Sequence, residues 1–281
     1  MLNACHRTRP TPGRTPPGEL PGFVRLFLTL IAAVSAGRVE RGGGSMRRVT
    51  RAVLIGGALA VAGCARPHQP MPVRTSVRPG INERFLDPGL DVDRFAQRWE
   101  GESREIYRSR HAIVGLLDLR PGMRVADIGA GTGLFEPPFA QQVGLYGTVF
   151  AVDIAPAFVR RIQHRAETEG LPQVRAVLCT QDSVNLADRS IDVAFCCDTY
   201  HHFEYPQATL ASIHRALQPG GRFVVIDFKR IPGRSRAWIL NHVRCGKTQV
   251  ITEIEQAGFR LIDEPALPDM SENYILRFAR E

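Results

Sequence analysis

The chain has 281 residues, 44% hydrophobic and 23% charged, with a formal charge of +8 and six cysteines, the composition of an ordinary globular protein. The excess charge is concentrated: residues 1–63 hold nine arginines and two acids, a net +7, which leaves +1 for everything after them. A near-neutral body excludes a polyanion-binding protein, so no nucleic-acid partner is expected.

In chain order, residues 1–22 are rich in Pro, Gly and Arg, lack any period and cannot bury a core. Residues 26–36 (LFLTLIAAVSA) form an apolar run too short to span a bilayer comfortably. A second unit opens at Met46 with MRRVTR, continues through AVLIGGALAVAG and ends at Cys64. Basic, apolar and small-residue zones thus follow in the order of a secretory signal. The tetrapeptide VAGC (61–64) resembles the lipobox of bacterial lipoprotein signal peptides, whose cysteine is lipidated and becomes the first residue of the mature chain. The resemblance implies a lipoprotein anchored to the membrane through Cys64 and facing the periplasm. An uncleaved anchoring helix or a chance apolar run is the competing reading, and an unused signal leaves the protein cytoplasmic. Met46 is also a candidate true start, which makes 1–45 an unstructured, over-extended frame. Residues 65–90 are Pro- and Arg-rich and read as a linker.

A folded domain is predicted over 91–281. Residues 91–119 show helical spacing, with Phe95, Trp99, Ile106, Ile113, Leu116 and Leu117 apolar, until RPG breaks the run. Strands are then predicted at 124–128, 148–153, 174–178, 191–197, 222–228, 260–263 and 274–278. Helices are predicted at 134–143, 157–169, 207–217 and 247–257. Apolar strands alternating with amphipathic helices imply a mostly parallel sheet covered on both faces.

The segment VADIGAGTG (125–133) runs a strand into Gly129-Ala130-Gly131-Thr132-Gly133. Only residues without a Cβ let backbone approach a ligand so closely, and a helix follows with free N–H groups. The spacing GxGxG is neither the dinucleotide fingerprint GxGxxG nor a phosphate loop, which needs GK[ST]. Further on stand VFAVDIAP (149–156), CTQDSVNL (179–186), SIDVAFCCDTYHHF (190–203) and LQPGGRFVVID (217–227). In order and spacing these five motifs resemble those of class I S-adenosylmethionine-dependent methyltransferases, over about 99–278. The wider group with quinone-biosynthesis methyltransferases is similar.

The resemblance implies a Rossmann-like α/β fold, a seven-stranded mostly parallel sheet with helices on both faces, in a single domain behind a disordered N-terminal extension. S-adenosylmethionine is the implied cofactor and a small molecule the implied methyl acceptor. Asp127, Gly129, Ala130, Gly131 and Gly133 then hold the methionine end. Asp153 serves the ribose, since a carboxylate accepts from two vicinal hydroxyls, and Ile154 beside it belongs to the cofactor set. Asp182 is placed for the adenine amino group, and Ser183 and Asp198 complete the cofactor set. An NAD-dependent oxidoreductase with the same entry is the alternative cofactor reading, and a catalytically inactive ligand-binding envelope lipoprotein the alternative function.

Methyl transfer from a sulfonium is an in-line displacement that needs proximity, alignment and in some cases a base. His201 and His202, at the exit of the fourth strand, are the candidate bases, because imidazole titrates near neutrality. Packing or substrate binding without proton transfer is the equal alternative for each. Tyr107, Arg108, Tyr200 and His242 are candidate substrate contacts, whereas Arg104 reads as a solvated helical residue. Arg244 is a further candidate contact. Trp99 and its neighbours are candidates for a lid. No metal is expected: the chemistry requires none, and Cys179, Cys196, Cys197 and Cys245 match no zinc-knuckle spacing. Adjacent Cys196 and Cys197 should face opposite sides of their strand.

Overall fold

A computed structural model describes residues 74–102 and 104–281. The proposed signal segment, Cys64 and the first part of the linker lie outside the described residues. Among those described, no helix is long and apolar enough to cross a membrane.

The sheet forms from β1 (Arg124–Ile128), β2 (Thr148–Asp153), β3 (Val174–Leu178), β4 (Ile191–Cys197), β5 (Leu217–Phe228), β6 (Phe259–Asp263) and β7 (Asn273–Arg280). Its order is β3-β2-β1-β4-β5-β7-β6, with β7 antiparallel to both of its neighbours and the other pairs parallel. Seven strands, mostly parallel, confirm the Rossmann-like expectation. Successive side chains of a strand point to opposite faces, and the core divides accordingly. Val125, Val149, Val193 and Phe195 join one buried layer; Ala126, Ile128, Val152 and Cys196 join the other. The adjacent cysteines do face opposite sides: Cys196 is in the second layer and Cys197 packs against the first.

The helices are α1 (Val92–Trp99), α2 (Glu105–Gly115), α3 (Glu136–Val143), α4 (Pro156–Thr168), α5 (Pro206–Ala216), α6 (Ala237–His242) and α7 (Lys247–Gln256). Prolines in the first turns of α3, α4 and α5 start them where no N–H partner is lost. The order of β3-β2-β1 followed by β4-β5 reverses the winding between β1 and β4. That switch point opens a crevice beyond the carboxyl ends of the strands, where ligands of such sheets bind.

Three elements differ from expectation. The helical run 91–119 is two helices, broken over residues 100–104 around Gly101. Their apolar faces go to different places: Phe95 and Trp99 of α1 pack on Phe158 of α4, whereas Ile106, Ile113 and Val114 of α2 join the main core. β5 starts earlier than 222, because Leu217 pairs with Ile191 beyond a register shift. The described part of the linker is packed rather than free. A 3-10 turn at Glu83–Phe85 buries Phe85 against Ala155 and Phe158, and Asn82 is only 5% exposed.

Candidate active site

A cavity of about 930 Å³ lies at the switch point, within the range of small-molecule sites. The glycine loop, the ends of β2 and β4, the strap around residues 82–85, α1 and α6 all line it.

On the glycine side, the backbone explains the sequence. Gly129, Gly131 and Gly133 all have positive φ, at 76°, 57° and 86°. A Cβ on Gly129 would stand 2.2 Å from Thr199 Cγ2, and one on Gly131 would stand 3.1 Å from Trp99 Cζ3. Gly129 and Ala130 N–H groups both bond to the Val152 carbonyl, which ties the loop to β2. The Asp153 carboxylate accepts from Gly131 N–H and Ala155 N–H, each at 2.8 Å. Each oxygen keeps a lone pair for a further donor. Burial pushes this carboxyl up to about 6, against the pull of those backbone bonds. Ala130, Ile154 and Ser183 line the cavity as expected.

Asp127 also lines the cavity, 3% exposed, with Glu136 beside it behind the loop. Burial, then repulsion from Glu136 and Asp153, raises the Asp127 carboxyl well above its ordinary range. Burial raises Glu136 to about 7, and neither of its oxygens finds a fixed donor. Glu136 was missed by sequence reasoning; only its place three residues after Gly133 marks it.

Over the loop sits an aromatic roof. Trp99 stacks at 4.7 Å from Phe95 and 5.6 Å from Phe158, and Phe85 joins them at 5.8 Å from Phe95. Trp99 lines the cavity from α1, and Phe85 from the strap packs beside it.

The exit of β4 carries the other half. Asp198 takes a left-handed backbone, φ 50°, and its carboxylate binds Arg104 and Asn273. Burial raises Asp198 to about 6, opposed by Arg104. Arg104 is thus a site residue, not a solvated one. His201 is 3% exposed, with Nδ1 at 2.8 Å from Asp227 Oδ1, and its backbone N–H donates to Asp227 Oδ2 at 2.9 Å. His202 Nδ1 meets Asn82 Oδ1 at 3.2 Å, and its Nε2 faces His242 Nε2 at 3.2 Å. Burial, then the neighbouring imidazoles, lowers His202 well below 6.5; burial, then His201, lowers His242 to about 4. All three rings line the cavity.

Some expected site residues stand elsewhere. Tyr200 is fully buried away from the cavity, and its hydroxyl donates to Glu253 Oε2 at 2.7 Å. Arg244 clamps that same carboxylate with two bonds, and neither residue lines the cavity. Asp182 turns off the cavity, where it meets Arg74 at 3.0 Å and accepts from Thr180 Oγ1. The neighbours Gln181 and Ser183 face inward instead. Tyr107 stacks under Arg110, 4.2 Å from ring centroid to guanidinium, and does not line the cavity, whereas Arg108 does. The cysteines are free thiols; burial pushes Cys179 up to about 12 and Cys245 to about 11, so neither is a ready nucleophile.

Strand order, glycine loop and acidic strand ends together make a Rossmann-like, methyltransferase-type fold. Residues 126–225 match the family model described as a methyltransferase domain. The ubiquinone/menaquinone biosynthesis C-methyltransferase UbiE of Burkholderia cenocepacia is 31% identical over 114 residues, 41% of this chain and 46% of that protein. The corresponding enzyme of Bordetella avium is 31% identical over 118 residues, with 42% and 46% covered. The chain thus spans under half the length of the curated relatives it matches. Among solved structures, a SAM dependent methyltransferase from Aquifex aeolicus aligns with TM-score 0.60 and 22% identity, covering 67% of this chain and 98% of that one. The [4+2]-cyclase SpnF aligns with TM-score 0.59 and 16% identity, covering 75% and 98%. At these identities the structures speak for the fold alone.

The domain match and the relatives imply S-adenosylmethionine as the cofactor, and the residues present fit it. Three positive-φ glycines let the loop pass close to Thr199 and Trp99 while its backbone lines the cavity. The carboxyls of Asp127 and Asp153 suit an ammonium group and a vicinal diol, respectively.

Proposed function

We propose that the protein transfers a methyl group from S-adenosylmethionine to a small-molecule acceptor. The observation that carries this reading is one continuous cavity joining the glycine loop and Asp153 to the histidine cluster at the end of β4. The bound cofactor supplies an activated methyl on a sulfonium. The chain supplies the rest. Asp127 and the glycine loop orient the amino-acid end, and Asp153 holds the ribose through its two remaining lone pairs. The roof of Trp99, Phe95, Phe85 and Phe158 excludes water, which favours in-line attack over hydrolysis. His201, held by Asp227 through Nδ1, turns its other nitrogen to the acceptor side, where a proton is to be accepted or a donor atom bound.

We propose also that the protein is a membrane-anchored, periplasm-facing lipoprotein, on the strength of the basic and apolar stretches before VAGC at 61–64. Cys64→Ser then releases the protein from membranes, and unchanged fractionation of that variant refutes the anchor.

Calorimetry on the full-length chain tests the main reading. Adenosylmethionine binding in the micromolar range with none for NAD supports it. Binding of NAD alone transfers the loop to an oxidoreductase, and binding of neither leaves a ligand-binding module on an inherited fold.

A further inference from the structure

The histidine cluster has a geometry that a pair of bases does not need. One ring nitrogen from each of His201, His202 and His242 lies within 4.8 Å of the other two, among the described residues the one such group of three metal-ligating side chains. His201 comes from the β4 exit with His202, while His242 arrives from the end of α6, forty residues away. Asp227 Oδ1 accepts a hydrogen bond from His201 Nδ1–H, and Asn82 Oδ1 accepts one from His202 Nδ1–H. With those protons committed, both Nε2 atoms carry lone pairs. His202 Nε2 and His242 Nε2 then face each other at 3.2 Å. Two imidazole nitrogens on a tetrahedral zinc, each bonded at about 2.0–2.1 Å, stand roughly 3.4 Å apart, so this edge already has the required length.

We propose that His201, His202 and His242 bind a divalent metal ion of the zinc class, with its fourth position open to the cavity. Three imidazole ligands select zinc, cobalt or nickel over magnesium or calcium, which prefer oxygen. The supporting shell is that of a functional metal site: a buried carboxylate behind one histidine and a buried amide behind another fix tautomer and ring orientation. Asp227 is 1% exposed and holds the His201 ring nitrogen and backbone N–H together, so the ring is pre-positioned. Three protein ligands with one open position is the arrangement of catalytic rather than structural zinc. In this cavity the open position takes a lone-pair donor of the acceptor, an oxygen or a sulfur, and so orients it. That last role rests on the methyltransferase reading; the metal site itself does not.

Titration of the full-length chain with Co2+ after dialysis against a chelator tests the site. The expected result is one Co2+ per chain with the visible bands of four-coordinate cobalt, discharged by Zn2+. His242 is half-buried, so His242→Gln keeps the fold, checked by circular dichroism, and it should weaken Co2+ at least ten-fold. Asp227→Asn should also weaken it, by about 10–100-fold as for other supporting partners. Absence of the four-coordinate spectrum overturns the proposal, as does unchanged affinity in His242→Gln, which assigns the ion to other histidines. Adenosylmethionine is titrated into the same chelated protein. Cofactor binding without Co2+ binding refutes the metal site alone. Co2+ binding without cofactor binding upholds the site and removes the methyl-transfer reading.

Discussion

Gly129→Ala tests whether the glycine loop is dictated by its contact with the β4 exit. Two costs combine. The position has φ 76°, where an L residue is strained by about 1–2 kcal/mol. The new methyl would also lie 2.2 Å from Thr199 Cγ2, 2.6 Å from Oγ1 and 2.8 Å from Cβ. Thr199 cannot swing away freely, because its hydroxyl bonds the Cys197 and Gly129 carbonyls. Overpacking of this kind costs about 1–3 kcal/mol, so the total expected loss is about 2–5 kcal/mol. Thr199→Ala alone should cost about 0.5–1.5 kcal/mol for its hydrogen bonds. In the double variant the Cγ2 and Oγ1 clashes vanish while the φ strain and the Cβ contact remain, so the combined loss should fall short of the sum. Urea unfolding at constant slope measures each loss as a shift in midpoint, and the cycle gives the coupling. Strict additivity, or a single Gly129→Ala variant within 0.5 kcal/mol of the parent as for a surface change, refutes the reasoning.

Three further outcomes follow from the same geometry. Asp153 titrates near 6 when folded against 3.8 ordinarily, so the folded state binds more protons between those values and stability falls as pH rises through that window. Asp153→Asn should flatten that fall in denaturation series from pH 4 to pH 6, and an unchanged slope argues against a buried, proton-retaining carboxyl. Tyr200→Phe loses a buried bond to a carboxylate and should cost about 1.5–3 kcal/mol with adenosylmethionine affinity unchanged. A loss of affinity would return Tyr200 to the cavity wall. Asp182→Ala should leave that affinity within two-fold, whereas a ten-fold loss by calorimetry would restore an adenine role.

The glycine side of the site was legible because it is local. Strand, loop and helix occupy 124–143 without interruption, and the acid at 153 ends the neighbouring strand, so period and glycine spacing place both. Asp182 misled because its motif gives the loop but not which side chain turns inward; its carboxylate instead meets Arg74 and the Thr180 hydroxyl. Tyr200 misled in the same way. Its neighbours in DTYHHF face the cavity, but the 3-10 turn at Tyr200–His202 sends the tyrosine into the opposite layer, where Glu253 waits.

The histidine side was legible only in part, and the reason bears on function. His201 and His202 announce themselves as a pair, but what they do depends on Asn82, Asp227 and His242, from a strap, a strand end and a short helix. His242 is read from the sequence only as a candidate contact, and the other two have no local signature: the strap reads as Pro-rich linker, and Asp227 as the end of an ordinary strand. Composition marks the strap as a tether because it buries little, yet the little it buries is at the site. Phe85 fills the roof, Asn82 fixes His202, and Arg78 bonds the His242 carbonyl. A strap that grips both His202 and His242 sets their spacing before any ligand arrives. The histidine end of the cavity is therefore shaped in part by sequence outside residues 126–225, the stretch that matches the methyltransferase domain, and on the methyl-transfer reading acceptor choice should follow the strap and α6 rather than the glycine loop.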